Sequence, residues 1–403
     1  MPSHSKSRQP ARPGRSPKAH SGGGANRKPL IAIVAGVVVI AAVLGVVLSS
    51  GGKKPAHSGS GQPADAATTP ASTQPHLAKT VCPLTDEPAP GGKVPQRAPI
   101  AVKIGNEPGG GPNGLGAARP QSGLNEADIV YDTPAEGGIM RYIAIYQCNN
   151  ASEIGPVRSY RWVDARILSE FPHVALVHVG GIAPNLADLN NNFKTIVNID
   201  DDCGAEPLCD PSVFHQDSSR VPPDATYTST QAIWASHHTH GMQDPPPPVF
   251  HYTASLPSLA TPVSQVAINF SAGTDAVWKW SASAHAFLHF YGTSPDIDQL
   301  NGQQVSTQNI FIQIVHYTIG PYEETAGLAG SGDVESQTVG TGKGYLLRDG
   351  KMLAVTWHRA ALQDPTTFTD AAGKTVGLAK GRTWVEMLIN TTARVPGALT
   401  FTK

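Results

Sequence analysis

Two absences organise the start of this 403-residue chain. Residues 1–28 hold no aspartate or glutamate, and Leu30 to Leu48 hold no charged or polar side chain. A fully apolar run of this length crosses a hydrocarbon core as a helix, which takes ~20 residues. The acid-free segment before it carries Lys6, Arg8, Arg12, Arg15, Lys18, Arg27 and Lys28, and such positive flanks stay cytoplasmic. Together they predict a single membrane span at 30–48, with the N-terminus inside and everything after Ser49 outside. A cleaved signal fits less well, because its apolar core is roughly 7–15 residues. A lipoprotein signal needs a cysteine just after the run, and Leu48-Ser49-Ser50-Gly51 supplies none.

Cysteine is scarce, and its four copies, Cys82, Cys148, Cys203 and Cys209, all follow the span. An even count in an oxidising compartment predicts two disulfides. Cys203–Cys209 would close a local loop, and Cys82–Cys148 would staple the domain start to a strand end. Familiar catalytic patterns are missing as well. No Gly-x-Ser-x-Gly or His-Glu-x-x-His occurs. The glycine-rich stretch 105–116 lacks Gly-Lys-Ser/Thr, and Pro112 and Pro120 oppose a helix opening there. Asp200-Asp201-Asp202 lacks the glycine and glutamate of a calcium loop. His237, His238 and His240 have no spaced carboxylate or cysteine to complete a metal motif, and suit a helix carboxyl end as cations. No metal and no cofactor is expected.

What is present divides the chain. The basic tail 1–28 and the Gly/Ser/Ala/Thr/Pro-rich segment 49–79 cannot bury enough apolar surface to fold, and read as a disordered tail and a linker. Residues beyond Lys79 hold 30 acidic and 20 basic side chains, which argues against nucleic-acid binding outside the membrane. The pattern predicts an α+β fold in two subdomains. A mixed α/β part spans 80–245, with strands at 100–104, 128–132, 140–147 and 174–179 and helices at 157–171 and 228–238. The run Pro245–Pro248 marks a boundary, and a mainly β part spans 250–403.

Several blocks carry a resemblance. They are Pro83-Leu84-Thr85, Ala118-Arg119-Pro120-Gln121-Ser122-Gly123-Leu124, Glu126-Ala127-Asp128-Ile129-Val130-Tyr131, Glu136-Gly137-Gly138-Ile139-Met140-Arg141 and Ile154-Gly155-Pro156-Val157-Arg158-Ser159-Tyr160-Arg161, with Gly342-Lys343-Gly344-Tyr345, Arg348-Asp349-Gly350-Lys351 and Trp357 further on. The chain resembles the YerB-like family of bacterial cell-envelope proteins over roughly 82–390. The resemblance implies a lipoprotein or membrane-anchored protein of two α+β subdomains and brings no established activity. It also implies an arginine where Gln216 stands and Ala-Pro-His-Asn where Pro222-Pro223-Asp224-Ala225 stands; a site formed there in relatives would be altered here.

The remaining chemical signal is arginine. Arg119, Arg141, Arg158 and Arg161 lie within the matched blocks. Arg158 and Arg161, three apart at a predicted helix start, would share a face, and guanidinium forks suit carboxylate or phosphate. With Glu136 and His178 they would hold an anionic ligand; the competing reading pairs them internally with Glu126, Asp128, Asp132 and Glu136. The expectation is a cell-envelope binding or scaffold protein, partnered by the cytoplasmic membrane and by an anionic envelope ligand or envelope protein. The alternative is an enzyme on a wall or lipid-linked anionic substrate, with Glu136 or His178 as acid/base.

Overall fold

A computed structural model describes residues 80–109, 117–202, 209–270, 275–324, 331–389 and 398–403. The tail, the apolar run 30–48, the linker and Cys203 lie outside these residues. Among the described residues no helix is long and apolar enough to cross a membrane. The described residues belong to one compact unit, Ser72–Lys403.

That unit is mostly β with few helices, so the predicted balance of α and β shifts towards strand. The amino-terminal half contributes β1 (Ile100–Ile104), β2 (Ile129–Pro134), β3 (Met140–Tyr146), β4 (Val174–His178), β5 (Ile196–Asp200) and the hairpin β6 (Phe214–Gln216) with β7 (Thr226–Thr228). Its helices are α1 (Trp162–Leu168), α2 (Ala183–Asn192) and α3 (Thr230–Ala235). After α3 and one 3-10 turn, the remaining elements are strands. First come β8 (Thr261–Pro262), β9 (Gln265–Asn269), β10 (Ala276–Ser281), β11 (Ala286–Tyr291), β12 (Ser294–Pro295) and β13 (Ser306–Thr307). Then follow β14 (Asn309–Val315), β15 (Tyr317–Glu323), β16 (Gly332–Ser336), β17 (Gly340–Arg348), β18 (Lys351–Arg359), β19 (Thr367–Thr369), β20 (Thr383–Ile389) and β21 (Ala398–Thr402).

One 11-stranded sheet runs through both halves, in the order β19-β18-β17-β14-β20-β2-β3-β1-β4-β5, with β8 added on β18. The join is parallel: β20 lies between β14 and β2, and Ile129 to Asp132 face Thr383 to Glu386. Strand period two gives this sheet two apolar faces. Ala101, Tyr131, Ile143, Leu176, Phe311 and Val385 face a core closed by α1, α2 and the chain around Phe250. Val102, Val130, Tyr142, Ile310 and Trp384 face a second sheet, ordered β12-β11-β10-β9-β21, which brings Val266, Trp278 and Phe287. Buried ties reinforce the join. Arg359 meets Glu170 at 3.1 Å, both nearly fully buried, and Trp278 donates to Glu386 at 2.6 Å.

The predicted helix over 157–171 is shorter than its apolar spacing suggests. Pro156 does not open it. Val157 bridges Ile104, and the Arg158 amide bonds to Lys103, so this stretch is extended. The helix starts at Trp162, where the Asp164 carboxylate caps the Arg161 amide at 2.8 Å. Arg158 and Arg161 therefore share no helix face. The staple Cys82–Cys148 is formed, with Cα atoms 5.9 Å apart. Cys209 is also disulfide-bonded.

Candidate functional site

The carboxyl ends of β1, β2 and β4 and the amino end of β3 meet at one edge of the large sheet. Ligands of open α/β sheets bind at this kind of edge. Alternation along IAVKI turns Lys103 away from Val102 and Ile104, towards α1. Its ammonium lies 2.6 Å from Asp164 Oδ1 and 2.9 Å from Thr133 Oγ1, with ammonium and carboxylate both fully buried. Asp164 thus serves as counter-ion and helix cap at once.

Beside this pair runs a ladder of alternating charge. Arg158 Nη2 sits 3.0 Å from Glu107 Oε1, which also lies 3.2 Å from Arg141 Nη2. Arg141 Nη2 continues to Glu136 Oε1 at 3.4 Å. Glu136 in turn takes the fork of Arg161, Nε to Oε2 at 2.6 Å and Nη2 to Oε1 at 2.5 Å. Asp224 closes one end, 3.6 Å from Arg158 Nε, and Glu324 the other, 3.4 Å from Arg161 Nη1. Burial pushes Glu107 up, but Arg141 and Arg158 outweigh it and bring the carboxyl down to about 2. Glu136 is likewise driven far down, because Arg141 and Arg161 outweigh its burial. Glu324 goes the other way: burial lifts it to about 7 despite Arg161. Burial also raises Asp224.

Four of the six sequence-predicted residues, Glu136, Arg141, Arg158 and Arg161, therefore converge, and two do not. Arg119 reaches the opposite face of the sheet, donating to Asn106 Oδ1 at 2.9 Å with its guanidinium 3.4 Å over the Tyr291 ring. His178 is fully buried, with Nε2 2.6 Å from Asn198 Oδ1 and Nδ1 3.0 Å from Gly180 O. The internal partners of the arginines also differ from the sequence reading. Glu136 is one, but Glu107, Asp224 and Glu324 take the places expected of Glu126, Asp128 and Asp132. Three clefts of about 310, 340 and 450 Å³ are lined around Phe250 and Phe368, Arg348 and Lys380, and Arg97 and Trp234, and none includes any of the six.

Sequence reading missed a second polar centre, on the face towards the smaller sheet. Asp132 and Glu386 stand opposite each other in the parallel register of β2 and β20, both essentially unexposed. Burial raises both carboxyls; Glu386 raises Asp132 further, while Asp132 draws Glu386 part of the way back down. Trp278, which donates to Glu386, belongs to one cluster of rings with Trp384, Tyr142, His289 and Tyr291. A signal was available, since an acid in the apolar runs IVYDT and TWVEMLI breaks the pattern twice; only the register shows that the two meet.

Comparison with known proteins now fits this architecture. Residues 84–243 match the N-terminal domain of the DUF3048 family, proteins of unknown function, and residues 266–385 match its C-terminal domain. A Bacillus subtilis (strain 168) protein named "Putative lipoprotein YerB" is 28% identical over 305 residues, 73% of this chain and 82% of that protein. The crystal structure of YerB protein from Bacillus subtilis superposes with a TM-score of 0.63 at 24% identity, covering 79% of this chain and 99% of that one, a likeness of fold. With both domain models matched in order across the shared sheet, this chain belongs to the YerB-like DUF3048 family.

Proposed function

We propose that this chain is an extracytoplasmic envelope protein, tethered by a helix over 30–48, that binds a charged envelope ligand at the ladder rather than transforming a substrate. The tether follows from the apolar run and its basic flank. The relative's name points to lipid attachment for that protein. Here no cysteine stands directly after the run, and Cys82 is committed to a disulfide, so on this reading the helix takes the place of the lipid.

The observation that carries the binding reading is the alternation Asp224–Arg158–Glu107–Arg141–Glu136–Arg161–Glu324. Its three guanidinium groups face four carboxyls, so a purely anionic ligand must displace Glu107 or Glu136. A ligand with both an amine and a carboxylate, the chemistry of a wall peptide, matches the pattern instead. Its carboxylate would meet Arg158, the most exposed cation of the ladder, and its amine the less compensated Glu324 or Asp224. The acid–base alternative has less support. Glu136 is held ionised by two guanidinium groups, and both ring nitrogens of His178 are engaged in the interior.

Calorimetry on the full chain in detergent, with a zwitterionic wall peptide and with sulfate, tests this. Peptide binding should release protons near pH 7 if Glu324 ionises against the amine, and Arg158→Lys should weaken it by losing the fork. Sulfate binding in preference to the peptide would instead favour the purely anionic face, and no binding of either would reject the ladder as a ligand site.

A further inference from the structure

His237 and His238 occupy a single 3-10 turn, His237–Thr239, directly after α3. The carboxylate that their sequence neighbourhood lacks is supplied by the fold. Asp210, which follows β5 and precedes β6, brings its carboxylate to within 3.6 Å of His237 Nδ1. One ligand atom from each of Asp210, His237 and His238 lies within 4.8 Å of the other two. The imidazole centroids lie 3.8 Å apart, with the ring planes tilted by 40°.

Asp210 is a held group, not a solvated surface acid. Its Oδ1 accepts from the Ser212 amide at 3.2 Å and the Ser212 hydroxyl at 2.5 Å, and its Oδ2 accepts from the Ser236 hydroxyl at 2.6 Å. Outer hydrogen bonds of this kind orient metal-ligating carboxylates. His238 Nε2 is buried with no hydrogen-bond partner, and such atoms call for an explanation. His237 is 68% exposed. The adjacent Cys209 is tied up in a disulfide and offers no competing thiolate.

We propose that Asp210, His237 and His238 form a binding site for a divalent transition-metal ion, best matched by Zn²⁺. Two imidazoles and a carboxylate suit Zn²⁺, whereas Ca²⁺ and Mg²⁺ select all-oxygen sets. Three protein ligands leave a fourth tetrahedral position for water or a ligand donor. Bonds of roughly 2.0–2.2 Å place tetrahedral ligand atoms about 3.3–3.5 Å apart. Ligand atoms now lying within 4.8 Å of one another must therefore draw together by up to about 1.3–1.5 Å when the ion binds.

The test is calorimetric titration of the chelator-stripped full chain in detergent with Zn²⁺ alone, alongside His237→Ala, His238→Ala and His240→Ala. The expected result is one Zn²⁺ equivalent bound by the wild type and His240→Ala that is at least tenfold weaker in His237→Ala and His238→Ala, with Co²⁺ giving a tetrahedral visible spectrum only in the first two proteins. His237 is exposed, so its removal does not threaten folding. Tail and linker histidines are common to all four proteins and cancel. Zn²⁺ binding of equal strength and number in wild type and His237→Ala, or none in the wild type, overturns the proposal.

Discussion

Lys103→Met tests the physical account of the ladder's base. The ammonium of Lys103 is buried 2.6 Å from Asp164 Oδ1, and the other oxygen of Asp164 caps the Arg161 amide. Methionine preserves the stem packing and removes only the charge. A buried carboxylate left without its cation costs ~3–5 kcal/mol. An independent bound comes from neutralisation. Moving a proton onto an ordinary carboxylate at pH 7 costs about 1.36 kcal/mol for each of roughly three pH units, or about 4 kcal/mol. Unfolding entropy near 60 °C is ~2.1 cal/mol/K per residue, so over roughly 300 folded residues a 4 kcal/mol loss lowers Tm by about 6–7 °C. The cost of protonation falls with pH, so the deficit should shrink by about 1.36 kcal/mol per unit as pH drops from 7 to 5. The assay is thermal unfolding followed by circular dichroism at both pH values. The double variant Lys103→Met/Asp164→Asn should recover most of the loss, because Asn keeps the acceptor for the Arg161 amide. A deficit that is independent of pH and unrescued by Asp164→Asn would refute the electrostatic reasoning and assign the loss to packing.

Other outcomes follow from the same geometry. Asp132 binds its proton more tightly folded than unfolded, so its contribution is present at low pH and lost as pH rises through the raised folded value. Asp132→Asn, which can still donate to Glu386, should match wild-type stability near pH 4 and exceed it progressively towards pH 8; parallel Tm curves would contradict the raised Asp132 carboxyl. Cys82 and Cys148 are 66 residues apart in sequence, and opening a loop of that size by a Cys82→Ser/Cys148→Ser double substitution should cost on the order of 4 kcal/mol in a denaturant titration. A reporter fused after Lys403 should be active only outside the cytoplasm; activity inside, or a mature N-terminus within residues 45–80, would count against the uncleaved span over 30–48.

Strand positions were largely legible, because alternation and continuous apolar runs are local properties. β1 matches its predicted limits, and β3 ends one residue earlier than expected. α2 was not legible. Its sequence APNLADLNNN buries only Leu186 and Leu189 among its apolar residues, and asparagine has low helix propensity. The helix over 157–171 was overextended because apolar spacing does not register that Val157 and Arg158 pair with the end of β1. Among the site residues, the sequence singled out the arginines but gave most of them the wrong carboxylates, since Glu107, Asp224 and Glu324 come from three separate loops.

The sequence alone therefore determined the apolar run with its basic flank, the compartment-dependent cysteine chemistry, the family and about half of the strands, all set by composition or by patterns within one segment. The tertiary structure alone decided that β20 inserts beside β2 to merge both halves into one sheet. It also decided that Asp132 faces Glu386, and that Asp210 reaches His237 and His238. Each of these is a contact between residues far apart in the chain. Such contacts depend on sheet order and register, which long-range packing sets.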